Sequence, residues 1–359
     1  MTNPHTLDAP LQAAEETRVA IDRATAILRG GGLVALPTET VYGLGADARN
    51  LHALKRIFAA KRRPSDHPLI VHIAAAAQLN EWCSEVPASA WLLAEAFWPG
   101  PLTLILRRAA HVLDAVTGGQ ETVGLRVPAH PVALALLRAF AGGIAAPSAN
   151  RFGHVSPTTA AHVRAELGSD VDMILDGGAC AIGIESTIVD LTAVQPRVLR
   201  PGGVRRAQLE SVLGIALPER PADMSSAPRV SGALASHYAP HTPVRWLQTE
   251  QLYSALRSAS SREHLGSLGK VSDVGVIALS PAGTKADASA AADGSELRQP
   301  TRIVWRSLSV DPTAYARQLY AQLRELDELG LDLILLEVPP ATAAWEAVRD
   351  RLRRAAGLG

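Results

Sequence analysis

Cysteine is scarce in this chain of 359 residues: Cys83 and Cys180 stand far apart and in no metal-type spacing. That excludes a disulfide framework and a cysteine-built zinc site, and reads as two reduced core thiols. Aromatic residues make up only 4%, so Ala, Leu and Val must carry the core. Net charge is missing too, with 35 basic against 35 acidic residues. Any affinity for nucleotide or nucleic acid must therefore come from a local patch and not from an overall basic field. No run approaches the roughly 18–20 uninterrupted apolar residues that a membrane span needs. The opening MTNPHTLDAP is polar and carries an acid, unlike a signal peptide, so no membrane contact and a cytoplasmic setting are expected. There is no GxxxxGK phosphate loop and no GxGxxG fingerprint, so the common nucleotide folds are not indicated. Nor is there a GxSxG elbow or an HExxH pair, which disfavours serine hydrolases and zinc peptidases.

What is present is a globular composition, 47% hydrophobic and 19% charged, in a chain long enough for two domains. Residues 11–29 have helical periodicity and stop at Gly30-Gly31-Gly32. An apolar run follows, LVALPTETVYGLGA, broken by Pro37, Gly43 and Gly45. Further strand-like runs are PLIVHIA (68–74), PLTLILRR (101–108), TVGLRVP (122–128), GGIAAPSAN (142–150), VDMILDGG (171–178) and STIVDLT (186–192). Helical stretches at 51–61, 88–97, 131–140 and 158–167 lie between them, which predicts α/β with a twisted mixed sheet. From about 217 a stretch rich in Pro, Ser and Ala reads as a linker. Beyond it, runs at 274–279, 302–308 and 332–338, with PVRWLQ before them, alternate with helical stretches at 249–258, 311–329 and 341–355. A loose polar loop spans 280–299, and the whole predicts a smaller α/β unit with parallel strands. The expected division is 1–216, a linker over 217–243, and 244–359.

Several segments carry polar chemistry. Leu36-Pro37-Thr38-Glu39-Thr40 leads through Val41 and Tyr42 to Gly43 and Gly45, placing hydroxyls and amides at a strand end, where open α/β sheets bind ligands. An ordinary capped turn has the same composition. Lys55, Arg56, Lys61, Arg62 and Arg63, closed by Pro64, point cations towards one loop and suit phosphate oxygens. A solvated helix face is the bland alternative. His67 and His72 follow, His72 inside an apolar run where a core histidine is the usual case. Ala146-Pro147-Ser148-Ala149-Asn150 again puts small polar groups at a strand end, and Ser148, Asn150 and Ser156 could reach one anion.

The succession PTETVYGLGA, KRRPSDHPLIVHI, WPGPLTLIL, TVGLRVP, APSAN, ESTIVDLT and LRPGGV resembles the YrdC-like domain of the threonylcarbamoyl-AMP synthase family over nearly all of residues 15–210. SGALASHYAPHTP resembles the linker of the family's long, two-domain members. The resemblance implies a twisted mixed-sheet YrdC-like domain followed by a smaller Rossmann-like α/β domain. It implies an enzyme that forms L-threonylcarbamoyl-AMP and pyrophosphate from L-threonine, bicarbonate and ATP with magnesium, for a separate tRNA threonylcarbamoyl transferase complex. By motif, threonine is expected at Thr40, His72, Arg126, Ser186 and the Ala146 backbone. ATP is expected at Lys61, Arg63, His67, Thr122, Ser148, Asn150, Ser156 and Arg200, with Tyr238 folding back over the nucleotide. No protein metal ligand and no covalent intermediate are expected. His67 stands where many relatives have Asn, and SGAL replaces the usual Pro-Gly-Met stretch before His237-Tyr238-Ala239-Pro240. Two rivals remain: a non-catalytic YrdC-like module with weak RNA affinity, and a carbamoyl-transfer domain of the hydrogenase-maturation kind. Absence of interleaved basic and aromatic residues speaks against the first, and absence of a Cys cluster against the second.

Overall fold

A computed structural model describes residues 8–218, 227–232, 237–257, 273–279 and 302–358. These form two compact units: one runs to Ser231 except for Gly153–Val155, and the other takes those three residues and the chain from Gly232.

In the first unit, α1 (Asp8–Arg29) ends where Gly31 adopts φ 79°, a left-handed turn that favours glycine. The apolar run after it folds into two strands, β1 (Val34–Leu36) and β2 (Gly43–Asp47), antiparallel with Val34 opposite Gly45. Gly43 and Gly45 thus lie inside β2, and the turn is made by 37–42. Tight packing is the reason at Gly45, where an added Cβ would come within 2.8 Å of Leu36 and 2.9 Å of Ile144 side chains. Next come α2 (Leu51–Lys61), β3 (Ile70–His72), α3 (Leu79–Trp82), α4 (Ala88–Phe97), β4 (Leu102–Arg107), α5 (Asp114–Thr117), β5 (Thr122–Arg126) and α6 (Pro131–Phe140). Then follow β6 (Ile144–Ala145), α7 (Ala160–Leu167), β7 (Met173–Ile174), β8 (Thr187–Asp190), β9 (Arg197–Arg200) and α8 (Arg206–Leu213). Helix starts are chemically marked: Asn50 Oδ1 accepts the His52 and Ala53 amides, and Pro131 opens α6.

The strands make one nine-stranded mixed sheet in the order β7-β1-β2-β6-β3-β5-β4-β8-β9. Its middle strands are apolar on both faces; Leu102, Leu104, Leu125, Val71 and Ile144 are shut off from solvent. Such double burial requires helices or loops on each face, and the core divides accordingly. One cluster packs α2 and α4 residues such as Leu54 and Leu93 against Leu44 and Leu104. Another joins Leu28 of α1 and Leu137 of α6 to Val34 and Ile144. β3 and β5 are parallel and end together, with His72 opposite Arg126.

The second unit carries β10 (Val244–Leu247), α9 (Thr249–Arg257), β11 (Asp273–Ala278), β12 (Arg302–Ser307), α10 (Pro312–Asp327), β13 (Leu333–Glu337) and α11 (Glu346–Ala355). Its four strands pair in the order β10-β13-β11-β12, every pair parallel. Central β13 is buried along its whole length, as a run of Leu and Ile covered on both faces should be. The expected polar loop at 280–299 lies outside the described residues, as do parts of the expected linker. Among the described residues no helix is long and apolar enough to cross a membrane.

Candidate functional site

The site of the first unit grows from the 37–42 turn. Thr38 shapes it: its hydroxyl oxygen accepts the Thr40 and Val41 amides, each at 3.2 Å, and donates to the Val41 carbonyl at 2.6 Å. The Thr40 hydroxyl sits 2.8 Å from that of Thr38. So placed, the turn meets the end of β5. Arg126 donates through Nη1 to Thr40 Oγ1 at 2.9 Å, through Nη2 to Glu39 Oε1 at 2.6 Å and through Nε to the Gly100 carbonyl at 3.2 Å. Glu39 Oε2 accepts the Ala129 amide at 3.0 Å. The pair is nearly closed to water, with 5% and 10% of the two side chains exposed. Such a pair is held because each charge has further hydrogen bonds.

His72, beside Arg126, is buried, and its Nδ1 has no hydrogen-bond partner. Burial, and then the Arg126 charge, push its pKa down to about 3, against a smaller opposing effect of the Ile70 backbone. The ring is neutral at any physiological pH, a hydrogen-bonding surface and not a cation. Ala146 spends its amide on the Ile70 carbonyl at 2.9 Å, so what it can offer a ligand is its carbonyl.

A second group is gathered by Arg200, the last residue of β9. Its Nε and Nη2 donate to the Ser186 carbonyl at 3.1 and 3.0 Å, Nη2 also to the Ser186 hydroxyl at 3.1 Å, and Nη1 to the Ser231 carbonyl at 2.9 Å. Ser186 in turn lies 2.8 Å from the Thr103 hydroxyl. The LRPGGV loop can press this close because Gly202 lacks a side chain: a Cβ there would stand 2.4 Å from both the Glu185 carbonyl and the Thr187 nitrogen. Ser231 is shared, since its hydroxyl accepts from Arg63 Nη2 at 3.1 Å and donates to the Pro68 carbonyl at 3.0 Å. Arg63 and Arg200, both expected on the ATP side, therefore meet on one residue. Thr122 lines the adjoining cleft with Ile70, Gly124, Val230 and Ser231.

Lys61 is the third focus. Its ammonium is fully buried and donates to the Ser148 and Asn150 carbonyls, each at 2.5 Å. Burial first, then the nearby Arg63 charge, pull its pKa well below the ordinary lysine value. Ser148 and Asn150 thus meet the lysine through main-chain oxygens, while the Ser156 hydroxyl donates to Glu185 Oε1 at 2.7 Å. His67 packs edge-on against Phe152 with ring centres 5.0 Å apart, and burial and Arg63 lower its pKa.

The basic run of α2 does not converge as a whole. Lys55 and Arg62 are exposed, and Arg56 turns to Asp172 at 2.9 Å and to the Gly31 carbonyl at 3.2 Å. Of the five, Lys61, the last residue of α2, and Arg63, which follows the left-handed cap Arg62 at φ 50°, turn to the site loops. Tyr238 belongs to the second unit. There it is buried with a left-handed backbone at φ 61°, its ring stacked on Tyr320 at 5.8 Å and covered by the Arg351 guanidinium at 5.1 Å. Glu39, Thr38, Thr103, Glu185 and Ser231 are additions to the expected set. The first and fourth had a signal in sequence, an acid beside Thr or Ser at the edge of an apolar run.

Residues 26–202 match the family model described as "Telomere recombination", and residues 204–357 that of "Threonylcarbamoyl-AMP synthase, C-terminal domain". The chain is 39% identical to the threonylcarbamoyl-AMP synthase of Pyrococcus abyssi, covering 96% of this chain and 95% of that one. The chain belongs to the threonylcarbamoyl-AMP synthase family. The Bacillus subtilis member is likewise 39% identical, over 94% of this chain and 93% of its own. Among solved structures, that of P. abyssi Sua5 complexed with L-threonine superposes with a TM-score of 0.78 at 39% identity, covering 94% of each chain. Family and fold therefore agree with the reading of the motifs.

Proposed function

We propose that this protein is an L-threonylcarbamoyladenylate synthase, a nucleotidyltransferase that converts L-threonine, bicarbonate and ATP into threonylcarbamoyl-AMP and pyrophosphate. The observation that carries the reading is the set of buried cations Arg126, Arg200, Arg63 and Lys61 converging on strand ends and loops of one unit. Threonine lies with its carboxylate on the free N–H groups of Arg126, which has five donors and spends three on the protein. Thr40, neutral His72, Ser186 and the Ala146 carbonyl take its remaining polar groups. The triphosphate lies on Arg63, Arg200 and Lys61, with Ser148, Asn150, Ser156, Thr122 and His67 around it.

Threonylcarbamate attacks the α-phosphate and pyrophosphate leaves. Little covalent work falls to the protein; orientation and preorganised positive charge lower the barrier. No three His, Cys, Asp or Glu side chains converge into a metal cage among the described residues. Magnesium would enter with ATP, held mainly by phosphate oxygens and water. Tyr238, in the 217–243 linker, closes over bound nucleotide and keeps water from the labile carbamate. The product passes in the cytoplasm to a tRNA-modifying transferase complex.

The test is pyrophosphate release from ATP with each substrate omitted in turn. Release must require threonine and bicarbonate together, and ATP turnover indifferent to threonine would sink the reading. Salt-dependent RNA binding without ATP consumption would replace it with the binding-module alternative.

A further inference from the structure

Thr103 is a polar residue in the middle of an apolar strand. It lies in β4 between Leu102 and Leu104, and β4 is paired on both sides, by β5 and β8. Side chains alternate between the faces of a strand, so Thr103 shares its face with Ile105, which packs with Ile188 and Leu199. Its methyl group looks towards Gly124, where an added Cβ would stand 3.6 Å away. The side chain is closed to solvent, and valine has the same shape. What valine lacks is the hydroxyl, which lies 2.8 Å from Ser186 Oγ.

The protons around that contact fix its direction. A hydroxyl has one proton to give and two lone pairs with which to accept. Ser186 Oγ accepts from Arg200 Nη2 at 3.1 Å, and a guanidinium can only donate. Among the described residues, Thr103 Oγ1 has Ser186 Oγ as its one hydrogen-bond partner. If a bound group donated to Ser186, both lone pairs of Ser186 would be filled and its proton would turn to Thr103. The Thr103 proton would then stay buried without an acceptor. If a bound group accepts, Thr103 donates to Ser186, Ser186 donates onward, and each proton of the chain is paired. A buried polar hydrogen left unpaired is costly, so the chain selects an accepting ligand atom.

The surroundings indicate which atom. The segment before Ser186 is tied to the threonine turn, with Ile182 N–H donating to the Glu39 carbonyl at 2.8 Å and Gly183 N–H to that of Thr40 at 3.2 Å. Arg126 Nε donates to the Gly100 carbonyl at 3.2 Å, and the amide of Thr187, next after Ser186, donates to that of Pro101 at 2.9 Å. Arg126 and the Ser186 segment are thus anchored on consecutive residues, and an amino-acid carboxylate has two accepting oxygens to offer them. We propose that Thr103 is a positioning residue for threonine: it donates to Ser186 Oγ and so keeps the Ser186 hydroxyl turned to the threonine carboxylate. The role rests on the synthase reading above, and Thr103 itself touches no substrate.

The experiment uses the full chain, with calorimetric titration of threonine and ATP beside threonine-dependent pyrophosphate release. Thr103→Val should weaken threonine binding about 3- to 20-fold and raise KM for threonine to match, with kcat and KM for ATP within about twofold of the parent. Thr103→Ser restores the hydroxyl and should bring threonine affinity back to within about twofold. Because Thr103 acts through Ser186, adding Thr103→Val to Ser186→Ala should change threonine affinity by less than about twofold. Unchanged threonine affinity in Thr103→Val, equal losses for threonine and ATP, no recovery in Thr103→Ser, or a full further loss in the Ser186→Ala background would each overturn the proposal. Should Thr103→Val fold poorly, Thr103→Cys decides: its thiol is a weak donor and must give the same selective loss, and threonine affinity equal to the parent's would overturn the assignment. A parent protein that binds ATP but no threonine would overturn the synthase reading and the proposal with it.

Discussion

Replacing Arg126 with alanine should do two separable kinds of damage. The guanidinium is held by Glu39, Thr40 and Gly100, with 5% of its side chain exposed. Its removal leaves Glu39 charged and buried with the Ala129 amide at 3.0 Å in place of a counter-ion. Orphaning one member of a buried pair costs about 3–5 kcal/mol, a large share of the roughly 5–15 kcal/mol that keeps a domain folded. Threonine should also lose a charge-assisted carboxylate contact of about 2–4 kcal/mol, a fall in affinity of about 30- to 1000-fold, with ATP affinity far less affected. The double variant Glu39→Gln with Arg126→Met separates the effects, since an apolar stem and a neutral amide leave no buried charge. Urea unfolding should return most of the lost stability, while calorimetric threonine titration should show affinity as poor as in Arg126→Met alone. A double variant as unstable as Arg126→Met would refute the orphan-carboxylate argument. A double variant that binds threonine normally would refute the carboxylate assignment.

His72 has a pKa of about 3 in the fold against 6.5 in an unfolded chain, so as pH falls the unfolded state binds the proton first. Stability should drop by up to about 1.4 kcal/mol per pH unit below pH 6.5, and His72→Gln should flatten that slope in urea midpoints measured from pH 4.5 to 7.5; parallel slopes would clear His72. Lys61→Met should raise KM for ATP at least tenfold while threonine binding changes little, because its two short bonds fix the Ser148 and Asn150 loop; equal effects on both substrates would count against the division of the site. Tyr238→Ala would remove a fully buried ring and cost about 3–5 kcal/mol, so Tyr238→Phe is the informative change. Loss of its hydroxyl should lower turnover with an unchanged melting temperature, and saturating ATP with threonine should protect the chain near residue 230 from protease; neither effect would leave Tyr238 a packing residue.

Long periodic elements were legible in the sequence. Helices at 51–61, 88–97 and 131–140 stand at those positions, and the second unit's parallel strands follow from Leu- and Ile-rich runs alternating with helices. Elements of marginal hydrophobicity were not legible: α8, with Leu209 as its buried residue, and β9, whose four residues include two arginines. β9 lies antiparallel to β8, and across that ladder Arg197 pairs with fully buried Asp190 at 2.6 Å, a contact that no window of sequence displays. The segments of the candidate site stood out as a succession of motifs, but the contacts among them did not. Arg126 bonds Thr40 and Glu39 across 86 and 87 positions, and Glu185 bonds Ser156 across 29. An acid beside a threonine reads locally as turn chemistry, and only the fold reveals what it faces.

How could a protein with no net charge hold a polyanionic nucleotide beside a zwitterionic amino acid? The answer lies in what neutralises its buried cations. Arg126 is paired with a site carboxylate, Glu39. Arg200 leans on the Ser186 and Ser231 carbonyls, Arg63 on that of Pro68, and Lys61 on those of Ser148 and Asn150. A carbonyl dipole satisfies the hydrogen bond of a buried cation but does not cancel its charge, so a positive field survives inside a neutral molecule. On the proposed assignment, triphosphate oxygens entering that field would gain attraction from it. On the proposed assignment threonine, a zwitterion, would meet a different arrangement at Arg126, where the paired Glu39 offsets the guanidinium charge. On the proposed assignment the two substrates would meet differently partnered cations. Moving a carboxylate onto the nucleotide side, as in Ser231→Asp between Arg63 and Arg200, should weaken ATP while sparing threonine, and separate titrations of the two ligands would detect any failure of that sorting.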